Sequence, residues 1–138
     1  MNITIKHSPN RILIADDDAV IKHLVTSIVT KLGYKAVALS DGREAWRLLS
    51  ADADFKAAIL DMSMPFLEGI DLIRHMRTEK RLMRIPVMMI SAEQDIKLMA
   101  DSFAAGATAF LPKPFTPEQL QSVLRMLVSA RMPERRAA

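Results

Sequence analysis

Short apolar runs alternate with longer stretches of mixed polarity along most of the chain. Five of these runs are rich in aliphatic residues, which is typical of strands that are buried on both faces of a sheet. They occupy residues 11–15, 35–39, 55–60, 86–90 and 108–111. The stretches between them have apolar residues at helical spacing, so the pattern predicts strands and helices in alternation.

Each helical stretch carries an apolar stripe, and several have a residue that favours a helix end. Gly33 and Gly106 predict the C-termini of the first and fourth helices, and Pro117 predicts the N-terminus of the fifth. The alternation favours a parallel sheet with right-handed crossovers and helices on both faces. The stripes comprise Ile21, Leu24, Val25, Ile28 and Leu32; Ala45, Leu48 and Leu49; Leu72, Ile73 and Met76; Ile96, Met99, Ala100 and Phe103; and Leu120, Val123, Leu124, Leu127 and Val128.

The composition fits one folded domain. The chain has 138 residues, of which 50% are hydrophobic and 25% are charged, a balance typical of globular proteins. We expect an N-terminal extension at residues 1–10, the domain at 11–130 and a basic C-terminal tail at 131–138. The sequence has no cysteine, no secretory signal pattern and no apolar run long enough to cross a bilayer. We therefore expect a cytoplasmic protein without a membrane partner.

The net charge of +3 lies mainly at the two ends of the chain. Residues 1–11 and residues 131–138 contribute +2 each, which leaves −1 for the body between them. A protein that binds nucleic acid normally has a basic face on its folded body, often with aromatic side chains for stacking. The distribution of charge therefore predicts no nucleic-acid partner.

Polar residues follow four of the five predicted strands. Because ligands bind beyond the carboxyl ends of parallel strands, we expect these side chains to share one pocket. Clustered carboxylates repel by about 4 kcal/mol per pair at ~4 Å near a protein surface, so a hard cation, Mg²⁺ or Mn²⁺, is expected to balance them. The residues are Asp16, Asp17 and Asp18 after the first strand, Asp61 after the third, Ser91 after the fourth and Lys113 after the fifth.

This set of groups suits phosphoryl transfer to a carboxylate. Asp61 can attack phosphorus and form an aspartyl phosphate without a general base, because a carboxylate has no proton to lose. A cation held by Asp16, Asp17 and Asp61 would neutralise the phosphate oxygens. The ammonium of Lys113 would add a second positive charge, and the Ser91 hydroxyl would donate a hydrogen bond to one oxygen.

Four segments of the chain resemble the receiver domains of two-component response regulators. The resemblance covers residues 11 to about 130 and implies a flavodoxin-like, doubly wound α/β fold with five parallel strands in the order 2-1-3-4-5 and five helices. It also implies a stand-alone phosphoacceptor signalling protein, similar to the chemotaxis receivers, rather than an enzyme acting on other substrates. The segments are Ile-Leu-Ile-Ala-Asp16-Asp17-Asp18, Ile-Leu-Asp61-Met-Ser-Met-Pro65, Met-Ile-Ser91-Ala92 and Phe110-Leu-Pro-Lys113-Pro114-Phe115.

The resemblance implies a role for each residue of the predicted pocket. Asp61 would be the phosphoacceptor, and Lys113 would contact the phosphate. Asp16, Asp17 and the backbone carbonyl of Ser63 would join Asp61 as metal ligands. The donor would be a sensor histidine kinase or a histidine phosphotransfer protein.

The resemblance also implies how the signal leaves the pocket. Ser91 and Phe110 would form a switch pair, although Phe110 lacks the hydroxyl of the tyrosine that is commoner in the family. A downstream protein partner would bind the face of the fourth helix, fifth strand and fifth helix. The bond between Lys113 and Pro114 is expected to be cis.

Two other functions remain open at this stage. A haloacid-dehalogenase-like phosphatase would use Asp16 as nucleophile and Asp18 as acid/base, with Ser91 and Lys113 as later motifs, but it leaves Asp61 unexplained. In the receiver interpretation, Asp18 instead caps the first helix. A receiver-like adaptor would recognise its partner without being phosphorylated, and the sequence alone does not separate it from a phosphoacceptor.

Overall fold

Five strands and five helices alternate in the computed structural model, which describes residues 10–93 and 95–129. The strands are β1 (Arg11–Ala15), β2 (Lys35–Leu39), β3 (Ala57–Asp61), β4 (Val87–Ser91) and β5 (Ala109–Pro112). The helices are α1 (Ala19–Lys31), α2 (Gly42–Ala51), α3 (Gly69–Arg77), α4 (Ile96–Ala105) and α5 (Pro117–Ser129). The last three strands begin and end one or two residues later than the sequence predicts.

The strands form one parallel sheet in the order β2-β1-β3-β4-β5. The predicted flavodoxin-like topology is therefore confirmed. Alternate residues of β1 and β3 point to opposite faces, as the pleat of a strand requires. Leu13 and Leu60 enter a core layer covered by α2, α3 and α4, whereas Ile12 and Ile59 enter a second layer covered by α1 and α5.

Several helix ends lie where the sequence predicts them. Asp18 is the N-cap of α1, and its Oδ1 accepts hydrogen bonds from the backbone N of Val20 and Ile21 at 2.9 and 3.3 Å. Gly33 and Gly106 follow α1 and α4 with φ angles of 95° and 119°, values that favour glycine and end a helix. The capping role expected for Asp18 and both glycine stops are thus confirmed.

The fourth helix is turned differently from the prediction. The α4 stripe (Ile96, Met99, Ala100 and Phe103) lies on the outward side of the helix, with Ile96 79% and Phe103 45% exposed. The core instead receives Ser102, which is fully buried, flanked by Leu98 and Ala105. These three residues form a second stripe at helical spacing, and the sheet selects this smaller one because it lets α4 approach closely.

Residues 1–9 of the expected N-terminal extension lie outside the described residues. The C-terminal tail and residue 130, the last of the expected domain, also lie outside them. None of the helices in residues 10–93 and 95–129 combines the length and hydrophobicity that crossing a bilayer requires.

Candidate functional site

Backbone hydrogen bonds between neighbouring strands hold the predicted site residues at the carboxyl edge of the sheet. The N of Asp16 donates to the last carbonyl of β2 at 3.1 Å. Met62, the residue after Asp61, donates from its N to β4 at 2.9 Å. The N of Lys113 donates to the carbonyl of Ser91 at 2.7 Å. The pairing of Ala15 with Leu60 links β1 to β3 in addition, so the carboxyl ends of β1, β3, β4 and β5 are held side by side.

Three carboxylates converge at this edge. Asp16, Asp17 and Asp61 each offer an oxygen that lies within 4.8 Å of the other two. Asp16 is fully buried and Asp61 is 4% exposed, whereas Asp17 faces solvent. Such a concentration of negative charge, largely shielded from water, requires a positive partner.

The chemistry of Asp16 tests whether a divalent cation fits here. Its Oδ1 accepts a hydrogen bond from the backbone N of Asp18 at 2.9 Å. Its Oδ2 is buried and accepts no hydrogen bond from the described residues, although the ammonium of Lys113 lies 3.3 Å from it as an ion pair. A buried carboxylate oxygen whose hydrogen-bonding capacity is unfilled is costly, and three converging carboxylates are the ligand set that a hard cation prefers. The residues present therefore fit Mg²⁺ or Mn²⁺.

Lys113 brings a positive charge to two of the three acids. Its Nζ lies 3.3 Å from Oδ2 of Asp16 and 3.5 Å from Oδ1 of Asp61. The lysine side chain is 15% exposed, so water screens these ion pairs weakly. The peptide bond from Lys113 to Pro114 is cis, as expected.

The balance of burial and charge decides the protonation of Asp61. Burial raises the pKa of its carboxyl group, and the neighbouring negative charge of Asp16 raises it further, to about 7. The ammonium of Lys113 and a hydrogen bond from the backbone N of Ser63 oppose this rise. Without a bound cation, Asp61 is thus partly protonated near neutral pH.

Ser91 and Phe110 occupy neighbouring strands but different surroundings. Ser91 is 2% exposed, and its Oγ accepts a hydrogen bond from the backbone N of Glu93 at 3.0 Å. Phe110 is half-buried against the core layer covered by α2, α3 and α4. The Ser91 hydroxyl therefore lies in the wall of the cleft, whereas the Phe110 ring packs against the core.

Asp17, Asp61, Ser91 and Lys113 line one open cleft of about 680 Å³, whereas the fully buried Asp16 is not part of its lining. We call it the carboxylate cleft. Its lining also includes residues that the sequence argument did not place in the pocket. Glu93 follows β4 by two residues, so its place in the cleft could be predicted, like that of the other site residues, from its position just after a strand. Leu98 could not be predicted in this way, because it reaches the cleft through the unexpected orientation of α4. The lining residues are Asp17, Asp18, Asp61, Met62, Ser63, Glu68, Ser91, Ala92, Glu93, Leu98 and Lys113.

The loop after β3 packs closely against the backbone of Asp61. A Cβ atom at Gly69 would lie 2.4 Å from the carbonyl oxygen of Asp61 and 2.9 Å from the methyl group of Met89. Only glycine allows this approach. The N of Gly69 also donates to the carbonyl of Met62 at 3.1 Å, which closes the loop and places Glu68 at the rim of the cleft.

The structure thus brings together Asp16, Asp17, Asp61 and Lys113, with Ser91 in the wall of the same cleft. Ser63 is exposed at its edge. Its backbone N lies 3.4 Å from Oδ1 of Asp61.

A comparison with protein families gives one match that covers most of the chain. The model described as "Response regulator receiver domain" matches residues 12–125. Among curated proteins, the chain is 33% identical to the chemotaxis protein CheY1 of Helicobacter pylori over 119 residues, which is 86% of this chain and 96% of that protein.

Solved structures give the same picture. The chemotaxis response regulator CheY4 of Vibrio cholerae superposes with a TM-score of 0.79 at 29% identity, covering 85% of this chain and 97% of its own. The receiver domain of the sensor histidine kinase PA1611 of Pseudomonas aeruginosa gives 0.79 at 25% identity, covering 88% and 98%. That structure contains a magnesium ion coordinated in its active-site cleft.

Proposed function

Because the chain belongs to the response regulator receiver domain family, we propose that it accepts a phosphoryl group on Asp61 from a histidine kinase or a histidine phosphotransfer protein. As a receiver domain it is a signalling protein. The observation that carries the proposal is the placement of Asp61, buried at the carboxyl edge of the sheet between Asp16 and the ammonium of Lys113.

The transfer step follows from the groups in the carboxylate cleft. A carboxylate oxygen of Asp61 attacks the phosphorus of the phosphohistidine, the new O–P bond forms, and the P–N bond breaks with its electron pair going to the imidazole nitrogen. Lys113 neutralises charge on the phosphoryl oxygens. The side chains of Asp16, Asp17 and Asp61 and the carbonyl of Ser63 would hold Mg²⁺ or Mn²⁺, which would supply further neutralisation.

The same cleft supports release of the phosphoryl group. Attack of water on phosphorus would form a new O–P bond, break the bond to the Asp61 oxygen, release inorganic phosphate and return the carboxylate. The chain would thus catalyse only its own phosphorylation and dephosphorylation. Glu93 and Glu68 line the open cleft from which that water would come.

Ser91 and Phe110 are proposed to carry the signal. In this structure the Oγ of Ser91 accepts from the backbone N of Glu93, so the hydroxyl must turn to donate to a phosphoryl oxygen. That turn would empty space beside β5, where the half-buried ring of Phe110 could move inward. Phosphorylation would then shift an existing equilibrium between two packings.

The face formed by α4, β5 and α5 is proposed to bind the downstream protein partner. The α4 stripe supports this assignment, because it leaves Ile96 79% and Phe103 45% exposed on the outside of the fold. Helix α4 also reaches the carboxylate cleft through Leu98. One helix thus touches both the site and the proposed interface. We place this signalling in the cytoplasm, where a histidine kinase uses ATP.

The phosphatase alternative is not favoured. Its acid/base would be Asp18, whose Oδ1 is occupied by the two backbone N–H groups at the start of α1. It would also make Asp16 the nucleophile, yet Asp16 Oδ1 accepts the N–H of Asp18 and its side chain is fully buried.

Phosphorylation of the intact chain tests the proposal. Incubation with acetyl phosphate and Mg²⁺ is expected to add the mass of one phosphoryl group, and Asp61→Asn is expected to show no adduct. Asp71→Asn, which changes an exposed carboxylate on α3, serves as the matched control and is expected to behave as the unaltered chain.

Two results would contradict the proposal. An adduct on Asp16 that persists in Asp61→Asn would support the phosphatase. No adduct on the chain, in a tube where an established receiver is phosphorylated, would support an adaptor that works without phosphorylation.

A further inference from the structure

An aromatic side chain stands exposed on a strained turn beside the carboxylate cleft. Phe66 lies in the loop between β3 and α3, is 70% exposed and has a φ angle of 69°. The backbone N of Leu67 donates to the carbonyl of Pro65 at 2.8 Å, which closes a three-residue turn around it. A bulky residue in this conformation is strained, and an exposed ring offsets little of that strain by burial.

The N-terminus of α2 supports this turn on its inner side. A Cβ atom at Gly42 would lie 1.8 Å from the carbonyl oxygen of Leu67, so the loop and the helix touch where only glycine fits. The helix start is itself fixed, because Oδ1 of Asp41 accepts from the N of Glu44 at 2.8 Å. Oε1 of Glu44 accepts in return from the N of Ser40 at 2.9 Å, which ties the first turn of α2 to the residue before its N-cap.

Arg43, the next residue of α2, covers the exposed ring. Its guanidinium carbon lies 4.0 Å from the centre of the Phe66 ring, within the range of a cation–π interaction. Both side chains are exposed. The stacking favours one arrangement of the two side chains at the surface, so a partner that bound it would have less side-chain freedom to remove.

The pair lies on the edge of the molecule that any protein donor must approach. Phe66 belongs to the same loop as Glu68, which lines the carboxylate cleft, and α2 begins just beyond the carboxyl end of β2. A phosphohistidine is carried on a protein surface, so bringing its phosphorus to Asp61 covers this edge. A small phosphodonor needs only the cleft. Rigid aromatic and arginine side chains are the residues that most often dominate protein interfaces.

We infer that Arg43 and Phe66 form a docking tip for the protein that carries the phosphohistidine. The inference rests on the proposed function and adds to it the contact that selects the donor. The partner surface would offer an apolar depression for the ring of Phe66, rimmed by a carboxylate that pairs with the outer edge of the Arg43 guanidinium.

Comparing two classes of phosphodonor tests the docking tip. The variants are Phe66→Asn, because asparagine tolerates a positive φ and keeps the turn, and Arg43→Lys, which keeps the charge but loses the planar stack. Met83→Ala is the control, since it removes an exposed apolar side chain from the segment before β4, at the opposite edge of the sheet from the cleft. Each protein is phosphorylated by acetyl phosphate and by the phosphorylated histidine-bearing domains of the source organism.

If the docking tip selects the donor, its variants should slow phosphorylation by protein donors and leave phosphorylation by acetyl phosphate unchanged. For a domain that phosphorylates the unaltered chain, Phe66→Asn is expected to raise KM at least about fivefold, with kcat and the acetyl phosphate rate unchanged. Arg43→Lys should raise KM by a smaller factor, and Met83→Ala should change neither rate. A misfolded variant would instead lose both reactions.

Three outcomes would overturn the docking tip. The first is an unchanged KM in Phe66→Asn, and the second is an equal loss of transfer from both donors, which would show that the ring supports the cleft itself. The third is a chain that accepts phosphoryl groups from acetyl phosphate and from none of the domains, which leaves Asp61 as an acceptor without a docked donor. A chain that accepts from neither source would contradict the proposed function.

Discussion

The surroundings of the Asp61 carboxyl group disfavour its ionised form. It is almost completely buried, and the negative charge of Asp16 lies on one side of it. Burial and this charge raise its pKa from 3.8 to about 7. A nucleophile must be ionised, so the metal-free site is weakly reactive at the pH where a cation-loaded site would react well.

This raised pKa predicts how stability depends on pH. Between about pH 4 and 7 the folded protein keeps a proton on Asp61 that the unfolded chain has lost, so this stabilising contribution is full at low pH and disappears as the pH rises through 7. Asp61→Asn stays neutral throughout. In chelator at about pH 8, urea unfolding should show the variant roughly 2 to 4 kcal/mol more stable than the unaltered chain, with the gap closing towards about pH 4.

An exposed carboxylate provides the control for that measurement. Asp101 pairs with Lys97 on the surface of α4, and Asp101→Asn should change the free energy of unfolding by less than about 0.5 kcal/mol at either pH. If the gap between Asp61→Asn and the unaltered chain were equal at both ends of the pH range, burial and the charge of Asp16 would not be its cause.

At the residue level, the sequence predicts which groups meet but not the environment each one has. Parallel strands deliver their carboxyl ends to one edge, and this was enough to bring Asp16, Asp61 and Lys113 together. The position along a strand does not determine that Asp16 is buried while Asp17 is exposed. Nor did it indicate Phe66, because a positive φ at a phenylalanine follows from tertiary contacts with α2 and not from local preference.

Among the elements, α4 is held mainly at one end. Arg77 at the end of α3 donates from its guanidinium to the carbonyl of Gly106 at 2.8 and 3.1 Å, and also to those of Met83 and Ile85 at 3.1 and 2.9 Å. Gly106 is the C-cap of α4. At the other end, Ile96 is exposed, so the cleft-side end of α4 has the greater freedom to move.

Replacing Arg77 should therefore loosen α4 selectively. Arg77→Met removes the donor of three carbonyl groups, and we expect the free energy of unfolding to fall by about 2–3 kcal/mol. Amide hydrogen exchange should accelerate in residues 98–107 more than in α1. Arg74→Met is the matched control, because the side chain of Arg74 forms an exposed ion pair with Asp71, and its loss should cost less than about 0.5 kcal/mol. Uniform acceleration throughout the fold would contradict a local role for Arg77.

The orientation of α4 also shows that hydrophobic periodicity does not always predict which face of a helix is buried. The helix has two candidate stripes, and hydrophobicity alone favours the α4 stripe with Ile96 and Phe103. The sheet instead accepts Leu98, Ser102 and Ala105, because small residues allow close packing and the Ser102 hydroxyl donates to the carbonyl of Leu98 at 3.0 Å. Which stripe is buried depends on the surface opposite, and that surface is absent from the local sequence.

For the molecule as a whole, the alternation of strands and helices determines where chemistry can occur. The order of the strands follows from the family resemblance rather than from the pattern, which gives only parallel pairing. Once the order is fixed, β1, β3, β4 and β5 are neighbours, and the loops that follow them form one cleft. The remainder of the molecule, with its two core layers, keeps those loops in register.

Cation binding depends on the fold, on the charges in the cleft and on pH. Carboxylate ligands must be ionised to bind a metal, and the pKa of about 7 at Asp61 means that a proton competes with the cation. By calorimetry, Mg²⁺ should bind roughly tenfold more weakly at about pH 6 than at about pH 8, because one pKa unit below 7 leaves only a tenth of Asp61 ionised. Bound Mg²⁺ should stabilise the fold by mass action, and so less at the lower pH.

Two variants serve as controls for the Mg²⁺ affinity. Phe66→Asn should match the unaltered chain, whereas Asp61→Asn should bind weakly at both pH values. Equal affinity at both values in the unaltered chain would mean that Asp61 is not a ligand or that its pKa is not raised.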